Sequence, residues 1–339
     1  MRIKSQSIRR LVAVGLVLAL VVIFAITTPT FFGARNISIL LKDSAYLGLV
    51  ACGMAFPMIG GGIDLSVGGI VCAVGIISVH LSYDFGLSGY AIIFIATLAG
   101  AAFGLLNGII VAKVGLTEFV ATLASGFLFL GLGRALVFKD AGGRAVTRAV
   151  SSESYLSFGK NPLWENGWYL ITFVWIVVAV GLYIVLKKTK FGLYTYAIGS
   201  NDKAAKMSGV DTTKIKIIGF IISGACAGLA AFLVTANLTS SPAALGDGYE
   251  FKAIAACVVG GIMLGGGKGD TINALLGALF MTIILNGIYK FGLDSTFVYI
   301  IQGLIILLAT AFDSQFAKFA AKRRLKEQRL SDITPASAS

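Results

Sequence analysis

Charge is what this sequence has least of. Asp, Glu, Lys and Arg make up 13% of its 339 residues, about half the share found in soluble domains, which excludes an ordinary water-soluble fold. Histidine occurs once, as His80 at the end of an apolar run, where an interfacial place is expected rather than a proton relay. With one histidine and scattered acids, no Ser/His/Asp, Cys/His or paired-carboxylate arrangement can be assembled, so no enzyme active site is expected. Cys52, Cys72, Cys226 and Cys257 lack metal-site spacing and lie in apolar surroundings. They read as packing residues, and no metal or other cofactor is expected. A phosphate loop is missing too. Gly265-Gly266-Gly267-Lys268-Gly269-Asp270 has glycines and a lysine, but Ile262 and Gly269 stand where that motif needs glycine and Ser or Thr. The net charge of +12 suggests nucleic acid in a soluble protein. In a chain with many membrane spans it reflects topology, and no nucleic-acid partner is expected.

What is abundant is apolar sequence. The chain is 57% hydrophobic with a mean hydropathy of +0.89, and several runs approach the ~20 apolar residues that a bilayer helix needs. Ten spans are expected, at about 11–26, 44–59, 63–81, 90–112, 119–138, 169–186, 217–238, 253–264, 271–289 and 297–311. The first follows Arg2, Lys4, Arg9 and Arg10 like a signal peptide, but no small-residue cleavage site follows it. The eighth is too short to cross unless the glycines after it extend the helix. With both termini inside, inner loops and ends hold more than twice as many Lys and Arg as outer ones, as the positive-inside rule requires. The 42 glycines fit close helix packing, as at Gly100, Gly104 and Gly108. Trp164 and Trp168 suit an interface belt.

Three features interrupt this pattern. The polar interval from Lys187 to Lys216 contains a short helical stretch, with Ser200 and Asn201 as N-caps, Asp202 on the positive end of the dipole and Gly209 as C-cap. Asp211 and Thr212 can cap the next helix. So short a helix needs a surface to pack against: it is either a packed loop or a docking helix that transmits force from a partner. The second feature is Gly61-Gly62-Ile63-Asp64-Leu65-Ser66-Val67-Gly68-Gly69, which breaks the helix inside the apolar pattern. There, Asp64 and Ser66 either cap the third span or form a functional gate. The third is an internal echo. Gly260-Gly261-Ile262 repeats Gly61-Gly62-Ile63, and Leu285-Asn286-Gly287-Ile288 repeats Leu106-Asn107-Gly108-Ile109. Asn107 and Asn286 either bond between helices or, with Phe56 and Tyr249, line a low-affinity pathway.

Together these residues resemble a known family. GGIDLSVGG (61–69), LLNGIIVAK (105–113), FVATLA (119–124), YAIGSNDKAAKMSGV (196–210), GDGYEFKAIAACVVGGIMLGGGKGD (246–270) and ILNGIYKFGL (284–293) look like the membrane permeases of ribose, galactose and xylose-type ABC sugar importers, within the branched-chain amino acid/sugar permease superfamily. The resemblance implies an all-α polytopic membrane protein with the type II, vitamin-B12-permease-like fold, in a bacterial inner membrane. Residues 1–10 would be cytoplasmic, 11–313 the permease domain, and 314–339 a basic cytoplasmic tail. Implied partners are two cytoplasmic ABC ATPase subunits, an extracytoplasmic sugar-binding protein, a second permease copy or paralogue, and membrane lipid. The stretch 200–209 would be the coupling helix, with Ser200, Asn201, Lys203, Ala204, Ala205, Met207 and Gly209 at the ATPase contact. Gly61, Gly62, Asp64, Ser66 and Gly68 would form the break or gate. The family usually has proline where Glu118 stands and aspartate where Lys252 stands, which bears on sugar preference rather than on fold. The alternatives are a permease of the same superfamily for branched-chain amino acids, nucleosides or a signalling furanosyl compound, or a secondary transporter coupled through Asp64.

Overall fold

The computed structural model describes residues 2–307 apart from Pro29, Ser151, Asn161 and residues 165–166, 293–295 and 298, together with Ala311. The expected basic tail, 314–339, and the end of the tenth run lie outside the described residues. Among the described residues the helices follow one another as α1 (Arg2–Thr27), α2 (Ala34–Ile59), α3 (Val67–Tyr83), α4 (Gly89–Ile109), α5 (Glu118–Ala135), α6 (Glu153–Leu156), α7 (Leu170–Lys188), α8 (Lys190–Ser200), α9 (Asp202–Met207), α10 (Thr212–Leu238), α11 (Tyr249–Val259) and α12 (Thr271–Lys290). A π-helical turn, Ile110–Val114, prolongs α4, and residues 299–307 are helical again. Among the described residues the only extended pairings are two isolated bridges, Lys139 with Ala145 and Pro162 with Tyr169. Among the described residues the expected apolar runs fall mainly on helices, but the third starts only at Val67 and the eighth stops at Val259. Six helices among the described residues are long and apolar enough to cross a membrane: α2, α4 with its π turn, α5, α7, α10 and α12. The chain is therefore a multi-pass membrane protein.

The bundle is organised around α2, which is buried continuously from Ser44 to Ile59. It packs against α10, α12, α11 and α7. Lipid is as apolar as leucine, so such helices associate through close fit rather than through the hydrophobic effect. The tightest crossing is α4 on α10. A methyl group on Gly100 would meet the Gly228 Cα at 2.8 Å, and one on Gly108 would meet the Ile217 Cα at 2.8 Å. The Gly100–Gly104–Gly108 stripe thus brings two backbones together. Large apolar side chains such as Phe94, Leu98, Phe127, Leu128, Val177 and Ile184 remain exposed on α4, α5 and α7.

The eighth run is not extended by its glycines. They terminate it: α11 ends at Val259, and Gly261 adopts φ +99°. Its ending repeats that of α2 bond for bond. Gly61 N donates to Met58 O and Gly62 N to Pro57 O, while Gly261 N donates to Val258 O and Ile262 N to Cys257 O. This is the pattern in which a left-handed residue closes a helix. Both glycine clusters thus stop a helix inside the bundle, with Gly61 and Gly261 in equivalent places, one position off the register in which the sequence echo pairs Gly61 with Gly260. The four cysteines are buried free thiols.

Candidate functional site

The site begins at α9. Asn201 caps it, its Oδ1 accepting from Ala204 N at 3.0 Å, and Gly209 closes it with φ +83° while Val210 N reaches back to Ala205 O at 3.1 Å. Asp211 caps α10 by accepting from Lys214 N at 2.9 Å. Ser200 is not a cap: it is the last residue of α8, and its hydroxyl donates to Tyr196 O at 2.8 Å. The polar interval holds two helices because Thr189 caps α8 first, accepting from Gly192 N. On α9, Lys203 and Lys206 are exposed and Met207 is 83% exposed. Ala205 is 6% exposed. It faces the body of the protein and seats α9 on the bundle. Ala204 is half-buried beside it.

Both glycine breaks converge just before α9. Gly267 N donates to Ile59 O at 2.8 Å. A methyl group on Gly199 would lie 2.5 Å from Gly267 N, and one on Gly266 would lie 2.8 Å from the Gly61 Cα and 2.9 Å from the Gly199 Cα. No side chain fits between these three backbones. A second staple holds the same junction: Lys187 Nζ lies 3.4 Å from Asp270 Oδ2 and donates to the Tyr196 hydroxyl at 2.8 Å, and that hydroxyl donates to Gly269 O at 2.6 Å.

Asp64 sits in the first break with no exposed surface. Its Oδ1 accepts from Ser66 N at 3.0 Å and Ser66 Oγ at 2.6 Å, and Asn107 Nδ2 donates to the same Ser66 Oγ at 2.6 Å. The expectation that Asp64 caps α3 needs correction, because α3 starts at Val67 and the Asp64 bonds stop one residue short of it. Asp64 instead folds the break onto α4. Asp270 makes the helix-capping bonds, accepting from Ile272 N at 3.1 Å and Asn273 N at 3.2 Å at the start of α12. Gly68 brings α3 against the 239–248 loop, since a methyl there would lie 2.7 Å from Gly246 O.

A cavity of about 450 Å³, lined mostly by apolar surface but with several polar side chains in its walls, opens at the far end of α10 from α9. Asp43 and Tyr46 of α2, Asn237 at the end of α10, Tyr249 and Lys252 of α11, and Asn286 of α12 contribute to its walls. Asn286 also donates to Asn36 Oδ1 at 3.3 Å. Of the four expected pathway residues, Tyr249 and Asn286 reach this cavity. Phe56 and Asn107 do not. Phe56 is 1% exposed and stacked on Phe191, and Asn107 is held on Ser66. Asp43 is a charged lining residue that pattern reading missed, and Lys252, noted only as a departure from the family pattern, was not placed on a pathway. Each stands beside the boundary of an apolar run and reads as the end of a loop, although an ionisable residue there is itself a signal. The 27-residue α10, ~40 Å long, carries Thr212 next to α9 at one end and Val234, Asn237 and Leu238 on the cavity at the other.

Residues 36–310 match the family model described as branched-chain amino acid transport system / permease component. Among curated proteins, the chain is 35% identical to the ribose import permease protein RbsC of Bacillus subtilis over 87% of this chain and 89% of that one. It is 31% identical to the galactose/methyl galactoside import permease protein MglC of Escherichia coli, over 91% and 95% of the two chains. It is 32% identical to the autoinducer 2 import system permease protein LsrC of Photorhabdus laumondii, over 96% and 94%. No solved structure matches it. With the family model covering nearly all of the helical bundle, and import permeases aligned along almost their whole length, the chain belongs to the branched-chain amino acid transport system permease family.

Proposed function

We propose that this chain is the transmembrane permease subunit of an ATP-binding-cassette importer, passing a monosaccharide delivered by an extracytoplasmic binding protein into the cytoplasm. The observation that carries the reading is the arrangement along α10: an exposed short helix beside one end, and at the other a cavity with Asp43, Tyr249, Lys252 and Asn286 in its walls. Its similarity to a ribose import permease and a galactose/methyl galactoside import permease supports a sugar. Tyrosines, amides and charged groups in the cavity suit a hydroxyl-rich solute. Because the chain has no phosphate loop, ATP is hydrolysed on separate cytoplasmic subunits that dock on α9 through Lys203, Lys206 and Met207. A second permease copy or paralogue completes the pathway. The membrane is the bacterial inner membrane, the fold is of the vitamin-B12-permease-like type with about ten spans, and both termini are cytoplasmic.

Reconstitution of the permease with its ATPase and binding protein in proteoliposomes tests this. Sugar uptake should require all three components and ATP. Uptake driven by a proton or sodium gradient through the permease alone would replace the reading with a secondary transporter. One observation favours a second substrate class: Asp43 and Lys252 place both signs of charge in the cavity, which suits a zwitterion such as a branched-chain amino acid. Competition between sugars and amino acids for uptake separates the two.

A further inference from the structure

Between α9 and the first glycine break lies a chain of contacts that the docking reading leaves without a role. Lys216 stands in the second turn of α10. Its Nζ lies 3.3 Å from Asp202 Oδ2, the first residue of α9, and 3.5 Å from Glu118 Oε1, the first residue of α5. Glu118 in turn lies on the break, and a methyl group on Gly62 would meet its Cγ at 2.8 Å. The first turn of α5 also grips the residues that follow. Thr122 Oγ1 donates to Glu118 O at 2.7 Å and accepts from Leu65 N at 3.0 Å. One cation therefore joins the docking helix to the turn that clamps 62–65. Lys216 also lines a cavity of about 20 Å³ with Gly60, Gly62 and Phe56, room for about one water molecule.

We propose that Lys216 is a positioning residue for energy coupling, carrying movement of α9 through Glu118 to the glycine break. The proposal rests on α9 being the ATPase-docking helix. Asp202 is the more exposed carboxylate, at 51% against 28% for Glu118, so displacement of α9 by a docked partner breaks that contact first and leaves Lys216 with Glu118. Exposed ion pairs are individually weak, which suits a contact that breaks and re-forms in every cycle. Packing alone would hold α9 without a cation shared between two elements. A shared cation makes the position of α5 depend on that of α9, which is the physical content of coupling.

The test uses the complete complex in proteoliposomes and measures sugar transported per ATP hydrolysed for Lys216→Met and Lys216→Arg. Cysteine crosslinking between α9 and the ATPase is followed in parallel. Lys216→Met should lower the transport-to-hydrolysis ratio roughly ten-fold while the crosslink persists, and Lys216→Arg should keep most of the ratio. A wild-type ratio in Lys216→Met would overturn the proposal. So would loss of the crosslink in that variant, because Lys216 would then belong to the docking surface itself. If the wild-type complex never crosslinks through α9, the docking reading fails first, and the ratio in Lys216→Met has no bearing on that failure.

Discussion

At the scale of single residues, the carboxylate of Asp64 shows how chemistry in an apolar interior is disciplined by its neighbours. Its Oδ1 holds both the amide and the hydroxyl of Ser66, and Asn107 holds that hydroxyl from α4. Asp64→Asn keeps an acceptor of the same shape and should retain much of the uptake. Asp64→Leu leaves buried donors without partners, a loss of about 1–3 kcal/mol, and should lower the melting temperature of the purified permease. Loss of uptake in Asp64→Asn with the complex intact, together with wild-type uptake that follows an ion gradient, would overthrow the structural role. On α9 two residues should separate in the same way. Met207, almost fully exposed, should weaken ATPase stimulation when changed to Asp without altering stability. Ala205, turned inward, should lose stability when changed to Trp, by about 1–3 kcal/mol as overpacked sites do. Equal stability losses in both variants would erase the distinction between a docking and a seating face.

At the scale of elements, the informative comparison is between two helix endings. α2 and α11 stop with the same bonds, at Gly61 and Gly261, and the loops beyond them meet at Gly199. The sequence shows the two motifs as similar, but similarity does not say that they touch. Contact follows from α8, which brings Gly199 between Ile59 and Gly267 at distances only a glycine permits. Gly199→Val should therefore separate the loops, destabilise the permease by about 1–3 kcal/mol and lower uptake. Gly131→Ala, which meets nothing within 4 Å, serves as the control. The two variants are compared by thermal unfolding in detergent and by uptake, and matching results would show that the junction is not a tight contact.

At the scale of the whole molecule, α10 separates the two working ends. A cysteine at Lys203 and one at Arg144, in the loop after α5, should react with membrane-impermeant thiol reagents from opposite faces of oriented vesicles. Labelling from one face would refute the proposed topology. The sequence alone was sufficient for the class of protein and for its long apolar helices, though not for α8 or for the early end of α11. Scarcity of charge and long apolar runs leave a bilayer as the solvent, and within a bilayer helices satisfy their own backbones. Local rules also placed the cap at Asn201, the closing glycine at 209 and the cap at Asp211, because each depends on residues only a few positions apart. What the tertiary structure alone decided is which side chains share a space. Ala205 faces inward because α9 lies on the bundle. Phe56 and Asn107 are spent on Phe191 and Ser66 rather than on the cavity. Asp270 rather than Asp64 caps a helix. Asp202, Lys216 and Glu118 become neighbours although α5 begins more than eighty residues before α9. Periodicity and capping are local properties that a sequence displays directly. Contacts between distant segments depend on how helices cross, and here that crossing is set by glycines whose backbone approach has no signature until the partner helix is in place.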